Sequence, residues 1–292
     1  MFVKCFSIVI GCLFGITSLT LAQQKMSESP KLPVKLYTDN NDGLVVIGHR
    51  GASGYYPENT MAAFQAAYEM GAEMIELDVT LSKDGIPVVI HDLNLDRTTD
   101  GTGKVSHQNL KELRKLDAGS WFDVKFSSEQ IPTLEEVLQF AAGKISLNIE
   151  IKPEAVTDSV HNGIEEKALE LVNKYEMKHH VLFSSFDYRA IEHLKVLDVN
   201  ISVALLYEKQ QSKGKTLTQL VSHYTADAFN CSYRQYSKKW AEQAKKANIP
   251  VFIYTVNKER RMKKIIKRGA SGIFTDKPDV LNRLVENMWK TN

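Results

Sequence analysis

The chain has 292 residues, 43% of them hydrophobic and 25% charged, with a formal net charge of +2. That composition excludes a disordered or collagen-like chain. The near-neutral balance argues against a nucleic-acid binder working by bulk electrostatics, and the length suits one large α/β barrel or two smaller domains.

Residues 1–4 form a short basic start, 5–21 are mostly apolar, and Thr20-Leu21-Ala22 offers small residues for cleavage. Residues 1–22 therefore read as a secretory signal peptide cut after Ala22, and the expected location is secreted or periplasmic. Lipoprotein processing at Cys12, after Val9-Ile10-Gly11, and an uncleaved anchor are the other two readings. No other stretch is long and apolar enough to span a bilayer. Of the three cysteines, Cys5 and Cys12 leave with the leader, so Cys231 has no intramolecular disulfide partner. Residues 23–43, with Pro30, Pro33 and the run Asp39-Asn40-Asn41-Asp42-Gly43, read as a linker into a domain over 44–292.

The first apolar β-run, 44–48, ends on His49-Arg50-Gly51. Pro57-Glu58-Asn59-Thr60 reads as the start of a helix over 59–70, with Asn59 or Thr60 as its cap. The second run, 74–80, carries Glu76 and Asp78 two apart, hence on one face. Asp84-Gly85 then predicts a two-residue hairpin. Its register pairs Lys83 with Ile86 and Asp78 with His91, setting the imidazole beside the carboxylate. Residues 93–132 interrupt the alternation, and a small subdomain over the mouth is expected. Trp121 in it either closes over a substrate or packs the insertion. After a helix over 134–142, the run 145–151 brings Asn148, Glu150 and Lys152 onto one face.

Five further runs follow, at 180–184, 201–206, 226–229, 250–254 and 272–274, alternating with amphipathic helices to 288. Eight strand–helix pairs predict a TIM (β/α)8 barrel with a small insertion after a hairpin that extends strand 2. Thr255-Val256-Asn257 and Thr275-Asp276 fall at the rim after strands seven and eight, and the Lys/Arg-rich segment 258–267 reads as a solvated helix face.

In such a barrel, chemistry gathers at the C-terminal ends of the strands. Glu76, Asp78 and Glu150 are three oxygen ligands with no cysteine nearby, which suits Ca²⁺ or Mg²⁺. Arg50 and Lys152 would oppose phosphate charge, and His49 and His91 could serve as general acid and base. Each group alone has a plainer reading: a satisfied polar histidine, or a salt bridge from Glu76 and Asp78 to Arg50 or Lys152. The coincidence of all of them at matching strand ends favours chemistry.

The residues resemble the glycerophosphodiester phosphodiesterase family. The matching pieces, in the family's order over roughly 45–280, are His49-Arg50-Gly51-Ala52, Pro57-Glu58-Asn59-Thr60, Glu76-Leu77-Asp78-Val79, Asp84-Gly85 and His91-Asp92, then Leu95-Asp96-Arg97-Thr98-Thr99, Gly101-Thr102-Gly103, Asn148-Ile149-Glu150-Ile151-Lys152, Thr255-Val256-Asn257 and Gly272-Ile273-Phe274-Thr275-Asp276. The resemblance implies a TIM barrel with one divalent cation, Ca²⁺ or Mg²⁺, that hydrolyses glycerophosphodiesters to glycerol 3-phosphate and an alcohol. It implies His49 and His91 as the acid/base pair, Glu76, Asp78 and Glu150 as metal ligands, and Arg50 and Lys152 as phosphate ligands. Tyr254 stands where members often carry tryptophan, and Phe274 replaces a commoner aliphatic residue. Tyr254, Asn257 and Trp121 are the candidate pocket residues. The expected partner is a small diester and not a nucleic acid, and oligomeric state carries no sequence signal. A lysophospholipase D or phospholipase acting on larger lipids, or a non-catalytic phosphodiester-binding protein, are the alternatives.

Overall fold

Eight of the apolar runs become parallel staves of a closed barrel. The structure, a computed structural model, describes residues 44–289. The expected leader (1–22) and linker (23–43), with Cys5 and Cys12, lie outside the described residues. The strands are β1 (Val45–His49), β2 (Met74–Leu81), β3 (Pro87–Val89), β4 (Ser146–Ile151), β5 (Val181–Ser185), β6 (Ser202–Leu206), β7 (Ala228–Ser232), β8 (Val251–Tyr254) and β9 (Gly272–Thr275). Sheet order runs β1-β9-β8-β7-β6-β5-β4-β2-β3, and a parallel β1–β2 pairing closes the ring. Only β3 is antiparallel, hung on the far end of β2 as a hairpin arm.

The helices are α1 (Met61–Glu69), α2 (Leu110–Leu113), α3 (Leu134–Ala141), α4 (Ile164–Lys174), α5 (Tyr188–Leu197), α6 (Lys209–Ser212), α7 (Leu217–His223), α8 (Lys238–Ala247), α9 (Glu259–Lys267) and α10 (Pro278–Trp289). Side-chain caps start many of them. Thr133 with Glu136 and Thr216 with Gln219 form capping boxes that satisfy otherwise orphaned amide groups. On α9 only Met262 and Ile265 are buried, which matches the solvated face expected there.

Alternation along the strands separates three cores. Outward-facing residues such as Val46, Ile75, Leu77, Ile149 and Phe183 pack under the helices. Inside the barrel, Val45, Ile47, Met74, Leu182, Phe252 and Phe274 form an apolar plug. The inward positions above that plug are polar: His49 on β1, Glu76 and Asp78 on β2, and Asn148 and Glu150 on β4. Period-two alternation thus puts an insulating floor below and a charged layer above on the same strands. The insertion has a small core of its own, with Val88, Ile90, Leu95, Val105, Leu113 and Ile131.

The hairpin departs from the expected register by one residue. Leu81 pairs with Pro87 and Val79 with Val89, and the amide of Ile90 donates to the carbonyl of Asp78. His91 is therefore not opposite Asp78. Three residues, Lys83-Asp84-Gly85, form the turn between Ser82 and Ile86, whose backbones bond at 3.0 Å. Ser82 explains the choice. Its hydroxyl donates to Asp84 at 2.6 Å and accepts from the amide of Ile86 at 2.9 Å, while Gly85 takes up φ +76°. A three-residue loop closing on a left-handed glycine is the next commonest hairpin after the two-residue kind.

Candidate active site

The strand ends converge on a cavity of ≈ 200 Å³ at the barrel mouth. His49, Arg50, Glu76, His91 and Glu150 line one side, and Phe186, Leu206, Tyr254 and Phe274 form an apolar wall on the other. Tyr254 stands edge-on to Phe186 and to Phe274, at 6.1 and 6.2 Å between centroids.

One carboxylate oxygen from each of Glu76, Asp78 and Glu150 lies within 4.8 Å of the other two. All three side chains are buried. Two cations face them. Lys152 Nζ is 2.9 Å from Glu150 and 3.3 Å from Asp78, and Arg50 Nε is 3.3 Å from Asp78. Three acids against two fixed cations is an uneven sum, and the pKa values divide accordingly. Burial disfavours charge on Asp78, but Lys152 and Arg50 overcome it and hold the group down at about 2. Burial and the charge of Asp78 push Glu150 up to about 7, and burial with the same neighbour raises Glu76 well above its usual range. Two buried carboxyls thus resist ionisation until more positive charge arrives. An all-oxygen donor set of this size fits a hard divalent cation.

A pH dependence follows for the protein without added cation. Carboxyl groups raised by folding contribute stability that is complete below their unfolded pKa, near 4.5, and is lost as pH rises through the folded value, about 7 for Glu150. Bound cation removes that penalty, and protons compete with it at Glu150 and Glu76. The melting temperature gained on adding Ca²⁺ or Mg²⁺ should therefore grow between about pH 5 and pH 8. Melting curves across that range, with and without the ion, read this directly; an increment independent of pH would contradict the assignment of these two carboxyls.

Both imidazoles are held by carboxylates. His49 Nδ1 lies 2.7 Å from Asp276, and His91 Nδ1 lies 2.6 Å from Asp92. Donation from Nδ1 leaves each Nε2 as the nitrogen available for proton exchange. Burial lowers the pKa of His91, partly offset by Asp78. Asp276 is fixed in turn by the side-chain amide of Asn257, whose carbonyl oxygen accepts from the Asp276 amide and from Thr275. Asn257 therefore acts through Asp276 and does not line the cavity.

On the other side, Arg97 bonds Asp92 through Nε and Nη2 and Glu58 through Nη1 and the same Nη2, and Glu58 also accepts from Arg50 at 2.7 Å. One chain of charges thus runs from His91 through Asp92, Arg97 and Glu58 to Arg50. Asn59 extends it: its amide donates to Asp78 at 2.8 Å. Thr60, not Asn59, caps α1. The sequence marks Pro57-Glu58-Asn59-Thr60 as a helix start and gives Arg97 no place at the site, so these braces emerge only from the structure. The one local hint was the wealth of charge and amide in so short a loop.

Arg50 sits at φ +54° and Gly51 at φ +81°. A Cβ on Gly51 would stand 2.6 Å from the backbone of Ala63. The chain turns back sharply here, so that the Arg50 amide reaches Glu76 at 2.8 Å while its guanidinium reaches Glu58. Among the sequence candidates Trp121 is the one set apart. It is 39% exposed on the insertion, donates to the carbonyl of Ala118 and packs edge-on against Phe122, and it does not line the cavity.

Residues 49–280 match the glycerophosphoryl diester phosphodiesterase family. The chain belongs to that family of phosphoric diester hydrolases. A glycerophosphodiester phosphodiesterase of Caldanaerobacter subterraneus subsp. tengcongensis is 40% identical over 242 residues, covering 82% of this chain and 97% of the relative. One from Bacillus subtilis is 32% identical, over 83% of this chain and 87% of the relative. Among solved structures, an Oleispira antarctica phosphodiesterase in complex with the product sn-glycerol-3-phosphate is 32% identical, with a TM-score of 0.73 over 83% of this chain and 96% of that one. A glycerophosphodiester phosphodiesterase from Agrobacterium tumefaciens is 30% identical, with a TM-score of 0.72 over 82% and 98%.

Proposed function

We propose that the protein hydrolyses glycerophosphodiesters to glycerol 3-phosphate and an alcohol, using a divalent cation at Glu76, Asp78 and Glu150 and proton transfer by His49 and His91. The observation that carries this is the meeting of three carboxylates and two imidazoles at one cavity. When bound, the cation supplies charge neutralisation and polarisation at a phosphate oxygen. Arg50 and Lys152, both held against Asp78, would add fixed positive charge opposing that of the phosphate. One imidazole Nε2 takes the proton of the attacking hydroxyl as its oxygen bonds to phosphorus. The opposite imidazolium delivers a proton to the alcohol oxygen as the old P–O bond breaks. Asp276 and Asp92 hold the rings in place and stabilise whichever is protonated.

The attacker is water or the substrate's own glycerol hydroxyl, and accumulation of a cyclic phosphate identifies the latter. A cavity of ≈ 200 Å³ favours a small diester over one that carries an acyl chain. The apolar amino-terminal segment supports export to a secreted or periplasmic location.

The test is glycerol 3-phosphate release from deacylated phospholipids. Turnover of glycerophosphocholine is expected to exceed that of lysophosphatidylcholine, and a chelator should abolish it until Ca²⁺ or Mg²⁺ is restored. Unchanged release under chelator would remove the cation from the proposal. Binding of the diester without turnover at saturating ion would make the protein a binder.

A further inference from the structure

Charge is unevenly spread along this nearly neutral chain. Between Arg234 and Arg268 there are 12 lysines and arginines against two glutamates, a local +10, while the remaining residues sum to −8. These cations cover α8, α9 and the segments that flank them. Arg260, Lys263, Lys264 and Lys267 are exposed, and the apolar side of α9 is turned inward through Met262 and Ile265.

Elsewhere many of the cations are matched with acids: Arg114 with Glu136, Lys174 with Glu135, Arg189 with Asp187, Lys195 with Asp227. Among the described residues, no carboxylate lies within salt-bridge distance of any of the 12. The surface is also shaped. Tyr233, Arg260, Arg261, Lys264, Ile265 and Arg268 line a concave pocket of ≈ 340 Å³. Arg261 lies over the Tyr233 ring at 4.5 Å, and Arg268 is tied to the carbonyl of Tyr236, so two of the cations are fixed in position. Unpaired like charges held this close repel one another, and a chain gains nothing in stability by them.

We infer that the α8–α9 face is a docking surface for anionic phospholipid bilayers, with the pocket taking one phosphate headgroup and the exposed lysines meeting its neighbours. Several cations spread across an outer helix face suit a plane of phosphates better than a single anion. Lys258, which begins the basic run, directly follows Asn257, the residue that fixes Asp276 beside His49. A docked bilayer would thus lie along the rim of the catalytic cavity. Nucleic acid fits less well, because the one aromatic ring in the pocket already has a guanidinium over its face and offers no stacking platform. The choice of lipid over other polyanions rests on the proposed substrate, while the binding test reads no turnover and so fails or succeeds apart from it.

The test is co-sedimentation of the full chain with vesicles of phosphatidylcholine alone and of phosphatidylcholine mixed with phosphatidylglycerol. Neutral vesicles give the baseline, including whatever the apolar amino terminus contributes. Anionic vesicles should pull down at least about tenfold more protein at low salt, and the gain should vanish as salt is raised. The triple variant Arg260→Glu, Lys264→Glu, Lys267→Glu should lose that gain. Lys104→Glu, Lys111→Glu, Lys115→Glu, which changes net charge equally on exposed positions of the insertion, should keep most of it. Circular dichroism checks that both fold, and the salt dependence of the unsubstituted protein decides the matter if one does not. Equal binding to both vesicle types, equal loss in the two variants, or tighter binding to single-stranded RNA than to anionic vesicles at the same salt would each overturn the proposal.

Discussion

His49→Ala and His91→Ala should each lower kcat by about 100- to 10,000-fold, the usual worth of a positioned proton-transfer group. Little stability should go with it. His49 and His91 side chains are 20% and 33% exposed, so each substitution opens onto solvent and not into a packed interior. Their carboxylate partners also keep other donors: Asp276 retains Asn257, and Asp92 retains both bonds from Arg97. The pattern that matters is therefore a large fall in turnover with an unchanged melting temperature. Either variant retaining activity within about tenfold of the parent would take that imidazole out of the reaction. Substrates with a good leaving group should partly rescue only the variant that lacks the acid, because such an alcohol departs without a proton. That comparison assigns the two roles.

Asp78→Ala should fail for a different reason. Asp78 is 1% exposed and stands between Lys152, Arg50 and Asn59. Removing it leaves buried Lys152 and half-buried Arg50 short of a counter-charge, and breaking a buried pair from one side costs about 3–5 kcal/mol. Relief comes from Glu150, which loses the repulsion of Asp78 and ionises more readily beside Lys152. The cost should consequently sit at the lower end of that range, with turnover lost as well. Urea denaturation measures the first effect. A loss of less than roughly 1 kcal/mol would mean that the other carboxylates already neutralise both cations. Added cation should not restore Asp78→Ala, since one of its three ligands has gone.

The barrel and its charged layer could be read from the sequence because both depend on strict spacing. Glu76 and Asp78, like Asn148 and Glu150, sit two apart in apolar strands, and only a strand that turns alternate residues inward gives that pattern a use. What escaped depends on contacts that spacing does not encode. The pairing of His49 with Asp276 joins residues 227 apart, across the β1–β9 pairing. Glu58 and Asn59 have side chains that suit a helix start, and their bonds to Arg50, Arg97 and Asp78 arise only because Arg50 and Gly51 turn the chain back with positive φ. The one-residue error in the β2–β3 register came from the choice of turn. Asp84-Gly85 alone favours a two-residue loop, but the Ser82 hydroxyl, bonding Asp84 and Ile86, stabilises a loop one residue longer. Trp121 has two readings in the sequence, closure over a substrate or packing of the insertion, because residue type alone does not place it; in the structure it stands against Phe122. The run 258–267 was legible as a solvated helix face. That its cations go unpaired among the described residues, and that they curve around a pocket, required coordinates.

The most direct test is a crystal structure with Mn²⁺ and glycerol 3-phosphate, located by the anomalous signal of the metal. The expected result is one strong peak bounded by Glu76, Asp78 and Glu150, with the phosphate against it and the Nε2 atoms of His49 and His91 on opposite sides of phosphorus. A metal peak away from those carboxylates, or a phosphate that only one of the two imidazoles can reach, would contradict the proposed chemistry.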